Sequence, residues 1–139
     1  MIAETDEAMQ RLGRQLAASL RPGDWLSIDG PLGAGKTVFC KGILHGLGFA
    51  GEVTSPTYAI VNHYDPPDVD IRVVHADLYR INDTAEIDQL GLDDQAGDCI
   101  TLVEWASRAR SDLGHPSHMI KIEPLASGHR KVEIKLGDD

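Results

Sequence analysis

The stretch Gly30-Pro31-Leu32-Gly33-Ala34-Gly35-Lys36-Thr37 decides the fold of this chain. It has the pattern G-x-x-x-x-G-K-T, which is typical of a loop that wraps around a phosphate group. Residues 25–29, just before it, predict a short buried strand, and residues 37–47 predict a helix. A strand, a glycine-rich loop and a helix in this order are the context in which the pattern binds phosphate.

The residue types in this loop suit a phosphate ligand. Gly30, Gly33 and Gly35 allow backbone conformations that bring N–H groups close to phosphate oxygens. The free N–H groups at the start of the helix direct a partial positive charge at the same ligand. Lys36 adds a full positive charge, and the hydroxyl of Thr37 can bind Mg²⁺. The alternative is a glycine-rich turn that only happens to precede Lys-Thr.

Two carboxylates stand where predicted strands end. Hydrolysis of a nucleotide needs such a group near the metal, usually at the end of a neighbouring strand. Glu104 follows the apolar residues 100–103, and Asp77 follows residues 71–76. Ligands of open α/β sheets bind at these strand ends, so we assign Glu104 to Mg²⁺ and Asp77 to the attacking water. The two roles could be exchanged, and either carboxylate could instead cap the turn that follows it.

Thr57 lies between the helix after the loop and the next predicted strand. In GTPases a threonine in this place senses the γ-phosphate and the metal, so Thr57 is a candidate for a switch loop. The alternative is an ordinary Ser-Pro turn. His75 and Trp105 are expected to pack in the core, as are the only two cysteines, which are Cys40 and Cys99.

Hydrophobic patterns predict the other elements of the chain. Residues 5–20 form an amphipathic helix that Thr5 caps. Further elements are expected in the ranges 57–64 and 71–76 (an antiparallel hairpin), 84–90 (a short helix), and 119–122 and 131–136 (closing strands). We therefore predict an α/β, P-loop NTPase-like fold with three layers. Its mixed sheet has a parallel core and added antiparallel strands, within one domain over residues 1–139.

Charge and hydropathy narrow the range of partners. The formal net charge is −9, which does not favour a protein that binds DNA or RNA by itself. The N-terminal residues lack the basic and apolar regions of a secretion signal, and no segment approaches the roughly 20 apolar residues of a membrane span. We expect a cytoplasmic protein without membrane contact.

Four motifs, taken in order, make the chain closely resemble the TsaE (YjeE) family over nearly its whole length. Of the four motifs, only the phosphate loop is a specific signal by itself. The other three are weak signals individually, and the ordered set of four is specific. The motifs are Gly30 to Thr37, Ser55-Pro56-Thr57-Tyr58, His75-Ala76-Asp77-Leu78-Tyr79-Arg80-Ile81 and Glu104-Trp105-Ala106.

The resemblance implies a function that the spacing of residues does not reveal. TsaE proteins are bacterial ATPases required to form threonylcarbamoyladenosine at position 37 of tRNAs that read codons starting with A. They act with the TsaB–TsaD complex and are not the transferase. The resemblance therefore implies ATP or ADP and Mg²⁺ as ligands, the TsaB–TsaD complex as partner, and only indirect contact with tRNA.

The family's pattern also implies roles for residues of this chain. Thr37 and Glu104 would hold Mg²⁺, and Lys36, Asp77 and Thr57 would form the catalytic set. Trp105 would lie near the site or near a partner surface. The positions implied to contact nucleotide are Gly33, Ala34, Gly35, Lys36, Thr37 and Val38, with Thr5 and Arg130 added at the first helix and the last strand.

Other functions fit the same loop. A small-molecule kinase of the shikimate or nucleoside type shares the phosphate pattern but usually needs a basic lid. Arg108 and Arg110 are the only concentrated candidates for such a lid. A GTPase is disfavoured because no N-K-x-D segment is present. A nucleotide-gated adaptor would bind ATP, order the Thr57 loop and contact a partner, with hydrolysis incidental.

Overall fold

The computed structural model describes residues 1–31, 33–53, 61–79, 98–106 and 116–136. Two helices and seven strands occur within these ranges. In chain order they are β1 (Ile2–Ala3), α1 (Asp6–Ala17), β2 (Trp25–Asp29), α2 (Lys36–Gly46), β3 (Val61–Tyr64), β4 (Val73–Asp77), β5 (Ile100–Glu104), β6 (His118–Pro124) and β7 (Arg130–Leu136).

The strands form one mixed sheet in the order β1-β7-β6-β2-β5-β4-β3. Its centre is parallel, because β2 pairs in parallel with both β5 and β6, and β5 pairs in parallel with β4. The pairs β3–β4, β6–β7 and β1–β7 are antiparallel. The predicted α/β fold, its mixed sheet and its hairpin are therefore confirmed. The carboxyl ends of β2, β4 and β5 meet at one edge, which is where a ligand of such a sheet binds.

Alternate residues along the central strands pack on opposite faces of the sheet, as the two-residue repeat of a strand requires. Leu102 of β5 belongs to the larger core, which joins one sheet face to α1 and α2. Val103, the next residue, belongs to a smaller cluster with Val74 and Ala76 of β4. Cys40 and Cys99 are both buried and form no disulfide with each other, as expected of small core residues.

Glycines let α1 pack directly against the backbone of α2. A Cβ atom at Gly42 would lie 2.1 Å from the carbonyl oxygen of Gln10, and one at Gly13 would lie 2.4 Å from that of Phe39. Neither position has room for a side chain. Because α2 follows the phosphate loop, this contact also fixes the start of α1 relative to the loop.

The ends of several elements differ from the predicted ones. Thr5 caps α1 as predicted, accepting a hydrogen bond from the N–H of Ala8 at 3.0 Å. The helix ends at Ala17 rather than at residue 20, because the N–H groups of Ser19 and Leu20 bond to carbonyls three residues back and tighten the chain into a turn. The short strand β1 was not predicted.

Some predictions concern residues that the structure does not describe. These are the helix expected over residues 84–90, the first half of the strand expected over residues 57–64, the switch residue Thr57, and the lid candidates Arg108 and Arg110. Within the described ranges, no helix combines the length and the apolar character that crossing a membrane would require.

Candidate nucleotide-binding site

The glycine-rich loop joins the end of β2 to the start of α2. Gly33 and Gly35 have φ values of 77° and 102°, a region that residues with side chains rarely adopt. Gly35 is the N-cap of α2, so the first N–H groups of that helix open toward the loop. The predicted strand, loop and helix are thus confirmed, with α2 beginning at Lys36 rather than at Thr37.

Lys36 holds the loop in shape. Its Nζ donates hydrogen bonds to the carbonyl oxygens of Gly30 at 2.7 Å and Pro31 at 2.8 Å. The same ammonium group lies 4.4 Å from the ring centre of Trp105, a distance suited to a cation–π contact. Burial lowers the pKa of Lys36, while the nearby carboxylates of Glu104 and Asp77 act in the opposite direction.

Thr37 and Glu104 meet at the base of the site. The hydroxyl oxygen of Thr37 lies 3.2 Å from Oε1 and 3.1 Å from Oε2 of Glu104. The carboxylate is almost fully buried at the end of β5. A hydroxyl and a carboxylate are the hard oxygen ligands that Mg²⁺ prefers, so the donor atoms fit the predicted metal. The structure brings this predicted pair together across 67 residues of sequence.

Asp77 is the register partner of Glu104 across the parallel strands β4 and β5. Its Oδ1 accepts a hydrogen bond from the N–H of Tyr79 at 2.9 Å, which orients the side chain. Burial is the main cause that raises the pKa of Asp77, and the charge of Glu104 adds to it, while the Tyr79 N–H opposes the change. The second predicted carboxylate therefore lies at the same strand edge as the first.

His75 contacts the candidate metal ligand Glu104. Its Nε2 lies 2.5 Å from Oε2 of Glu104, and the side chain is completely buried. The prediction that His75 packs within its strand is confirmed, but the contact with Glu104 was not foreseen. The available signal was the spacing, since His75 stands two residues before Asp77 and so faces the same side of β4.

The rim of the site is formed by an ion pair between β7 and the start of α1. Arg130 lies 2.6 Å from Oδ1 of Asp6. Its guanidinium also lies beside Gly35, where a Cβ atom would be 3.3 Å from it. The hydroxyl of Thr5 is used as the cap of α1, and Asp6 rather than Thr5 reaches the site.

One cavity of about 300 Å³ contains most of the predicted residues. Ala34 is buried in the core behind the loop, Thr5 is not part of the lining, and Thr57 lies outside the described residues. Trp105 is only half-buried and contributes to the wall, so it is not simply a core residue. The lining consists of Asp6, Gly33, Gly35, Lys36, Thr37, Val38, Asp77, Glu104, Trp105 and Arg130.

Fold and site together define an α/β protein in which a phosphate-loop motif faces two strand-end carboxylates. A sequence model described as "Threonylcarbamoyl adenosine biosynthesis protein TsaE" matches residues 3–132. The chain belongs to the TsaE family.

Individual relatives agree with this assignment. The "tRNA threonylcarbamoyladenosine biosynthesis protein TsaE" of Bacillus subtilis is 37% identical over 127 residues, covering 91% of this chain and 78% of the relative. The protein of the same name from Streptomyces coelicolor is 37% identical over 128 residues, covering 91% and 86%. The crystal structure of Bacillus subtilis YdiB superposes with a TM-score of 0.83 at 29% identity, covering 99% of this chain and 84% of that one.

Proposed function

We propose that this protein is a Mg²⁺-dependent ATPase that acts with the TsaB–TsaD complex in forming threonylcarbamoyladenosine on tRNA. The observation that carries the proposal is the meeting of Lys36, Thr37, Asp77 and Glu104 around one cavity at the phosphate loop. Such a cavity has the positive charge, metal ligands and carboxylate that nucleotide hydrolysis needs.

The names of the relatives support the pathway. They are called tRNA threonylcarbamoyladenosine biosynthesis proteins, and the chain aligns with them over most of its length. The proposed role would place the protein in the cytoplasm with tRNA. Because the net charge of the chain is −9, we propose that any contact with tRNA is made by the partner proteins.

In the proposed complex, the loop N–H groups, the start of α2 and Lys36 hold the phosphates of ATP. Thr37 and Glu104 would hold Mg²⁺, which would neutralise charge on the phosphate oxygens. Arg130 lies at the rim, where its guanidinium can reach the nucleotide once it exchanges Asp6 for a phosphate oxygen.

Asp77 is proposed to activate water. The water oxygen attacks the γ-phosphorus, the bond to the leaving ADP oxygen breaks, and Asp77 accepts the proton that the water loses. A carboxylate whose pKa is raised by burial binds that proton more readily than an exposed one. The products are ADP and inorganic phosphate.

The test is phosphate release from ATP by the purified protein with Mg²⁺, alone and with TsaB and TsaD. We expect weak turnover alone that rises with the partners. Thr37→Val should lower the stimulated rate at least tenfold, because it removes the hydroxyl and keeps the shape of the side chain. Thr101→Val is the matched control, since Thr101 is buried on β5 but does not line the cavity.

Three results would contradict the proposal. Equal losses in the two valine variants would mean that the Thr37 hydroxyl has no specific part in turnover. Consumption of ATP only when a small hydroxylated acceptor is supplied, with no response to TsaB and TsaD, would favour a kinase instead. Full support of tRNA modification by an Asp77→Ala protein that binds ATP would favour a nucleotide-gated adaptor.

A further inference from the structure

His75 is a buried histidine at the centre of β4. Its Nε2 lies 2.5 Å from Oε2 of Glu104. An ionised carboxylate accepts hydrogen bonds and donates none, so Nε2 carries a proton and its N–H donates a hydrogen bond to Glu104. Among the residues that the structure describes, Nδ1 of the same ring has no hydrogen-bond partner. The polar contacts of the imidazole are therefore concentrated on Glu104.

Burying a ring nitrogen without a partner costs free energy. An apolar side chain of similar size would fill this part of the core without that cost. The position thus carries a polar group whose described hydrogen bond goes to the carboxylate assigned to Mg²⁺. This arrangement points to a role for His75 in the site rather than in packing alone.

Thr37 and His75 act differently on the Glu104 carboxylate. The hydroxyl of Thr37 is almost equally far from both oxygens, at 3.2 Å and 3.1 Å, so it does not distinguish them. The rigid imidazole of His75 contacts Oε2. His75 therefore distinguishes the two oxygens by holding Oε2, so that Oε1 is the oxygen without an imidazole contact and the one that can face a cation.

We propose that His75 is a positioning residue that holds Oε2 of Glu104 and so orients the carboxylate toward Mg²⁺ of the bound nucleotide. The inference rests on the proposed function, since it assumes that the cavity takes a Mg²⁺–nucleotide complex. Partners that orient a metal ligand typically change metal affinity 10- to 100-fold when they are lost.

Cys40 of α2 lies next to the pair formed by His75 and Glu104. Its sulfur lies within 4.8 Å of the ligand atoms of His75 and Glu104. Burial raises the pKa of Cys40 well above its usual range, so the thiol stays neutral beside them. A hydrogen bond between two side chains as buried as these is stronger than one in water, which suits a bond that holds a carboxylate in place.

Two amide variants separate positioning from packing. The side-chain nitrogen of Gln is as many bonds from Cβ as Nε2 of His, whereas that of Asn corresponds to Nδ1. His75→Gln can therefore still donate to Glu104, and His75→Asn cannot. Both variants place a polar amide in the same buried position, so a purely structural disturbance should affect them similarly.

The measurement is the dissociation constant of a non-hydrolysable ATP analogue, determined by calorimetry with Mg²⁺ and with EDTA. For the natural protein and for His75→Gln, we expect the dissociation constant to be smaller with Mg²⁺ than with EDTA. For His75→Asn we expect the gain from Mg²⁺ to fall about tenfold, with binding in EDTA little changed. If His75→Asn does not fold, His75→Leu replaces it as the variant without a donor.

A measurement on the natural protein needs no variant. The ¹⁵N spectrum of the histidine side chains should show His75 protonated at Nε2, and a proton on Nδ1 alone would overturn the proposal. An equal gain from Mg²⁺ in all folded variants would overturn it as well, while leaving the proposed function intact. Failure of the natural protein to bind the analogue at all would overturn the proposed function and this inference together.

Discussion

Asp77 and Glu104 are register partners at the carboxyl ends of the parallel strands β4 and β5. Their charges act on each other, and the presence of Glu104 contributes to the raised pKa of Asp77. The surroundings of the two carboxylates differ. Glu104 forms hydrogen bonds with Thr37 and His75, whereas Asp77 accepts a hydrogen bond from a backbone N–H. This difference agrees with the roles proposed above, in which Glu104 is a ligand of Mg²⁺ and Asp77 takes up a proton.

Replacing Asp77 by Asn should stabilise the fold at neutral pH while reducing turnover roughly a hundredfold. Burial raises the pKa of Asp77 above 3.8, so the folded chain keeps its proton to a higher pH than the unfolded chain. Protonated Asp77 contributes its full stabilisation at a pH below its pKa in the unfolded chain. This stabilisation is lost as the pH rises through its pKa in the folded chain. Urea unfolding at pH 4 and pH 7 should therefore show a larger gain from Asp77→Asn at pH 7.

Asp68→Asn is the control for this experiment, because Asp68 is exposed, precedes the amino end of β4 and does not line the cavity. It should change neither turnover nor the pH dependence of unfolding. A gain in stability from Asp77→Asn that is the same at both pH values would contradict the assignment of the raised pKa to Asp77.

Arg130→Gln should weaken ATP binding about tenfold while changing the free energy of unfolding by less than about 1 kcal/mol. The ion pair with Asp6 is partly exposed, so it contributes little to stability, whereas the positive charge lies on the wall of the phosphate cavity. Calorimetry of ATP binding and urea unfolding give the two quantities.

Lys131→Gln is a close control for Arg130→Gln. Lys131 is the next residue of β7, pairs with Glu133 at 3.2 Å and does not line the cavity. It removes the same unit of charge from the same strand. An equal loss of affinity in both variants would mean that only net charge matters and that Arg130 has no local role.

Gly42→Ala should destabilise the protein by about 1–3 kcal/mol, as overpacking does in a close-packed interior. The added Cβ would meet the Gln10 carbonyl oxygen at 2.1 Å, which forces α1 away from α2. Chemical unfolding measures the loss. Lys41→Ala, at the neighbouring half-exposed position of α2, should stay within about 0.5 kcal/mol of the natural protein. Because Ala favours a helix more than Gly or Lys does, an equal loss in both variants would mean that the contact with Gln10 is not its cause.

Nucleotide binding should change the intrinsic fluorescence of the protein through Trp105. The indole lies beside the Lys36 ammonium group, whose surroundings change when a phosphate arrives. Trp105→Phe should remove most of the change on addition of ATP analogue, and Trp25→Phe, which replaces the other tryptophan, should keep it. The reverse pattern would place the responsive group away from the loop.

Much of the site was predictable because its main parts are local in sequence. The loop, its flanking strand and helix, and the two strand-end carboxylates depend on short patterns and on the rule that ligands bind where parallel strands end. The cap of α1 at Thr5 was predictable for the same reason. Glu104 and Asp77 required only that their strands be adjacent and parallel.

The remaining contacts depend on the packing of distant segments. Asp6 reaches Arg130 across 124 residues, and His75 reaches Glu104 across 29. The spacing of His75 from Asp77 indicated only the face of β4 on which it lies, and no local pattern indicated its contact with Glu104. The strand β1 has only two residues, too few to show an alternating pattern, and exists because β7 pairs with it. The role expected for Thr57 remains a prediction, since that residue lies outside the described ranges.

Lys36 donates hydrogen bonds to the carbonyl groups of Gly30 and Pro31. A substitution of this lysine therefore removes two things at once, the charge that attracts phosphate and the tether that shapes the loop. The loss of affinity in a Lys36→Ala protein would contain two contributions. One is the lost ammonium–phosphate contact, and the other is the free energy needed to order a loop that Lys36 no longer holds. The affinity of a Lys36 variant for nucleotide therefore does not measure the electrostatic contribution of this lysine alone.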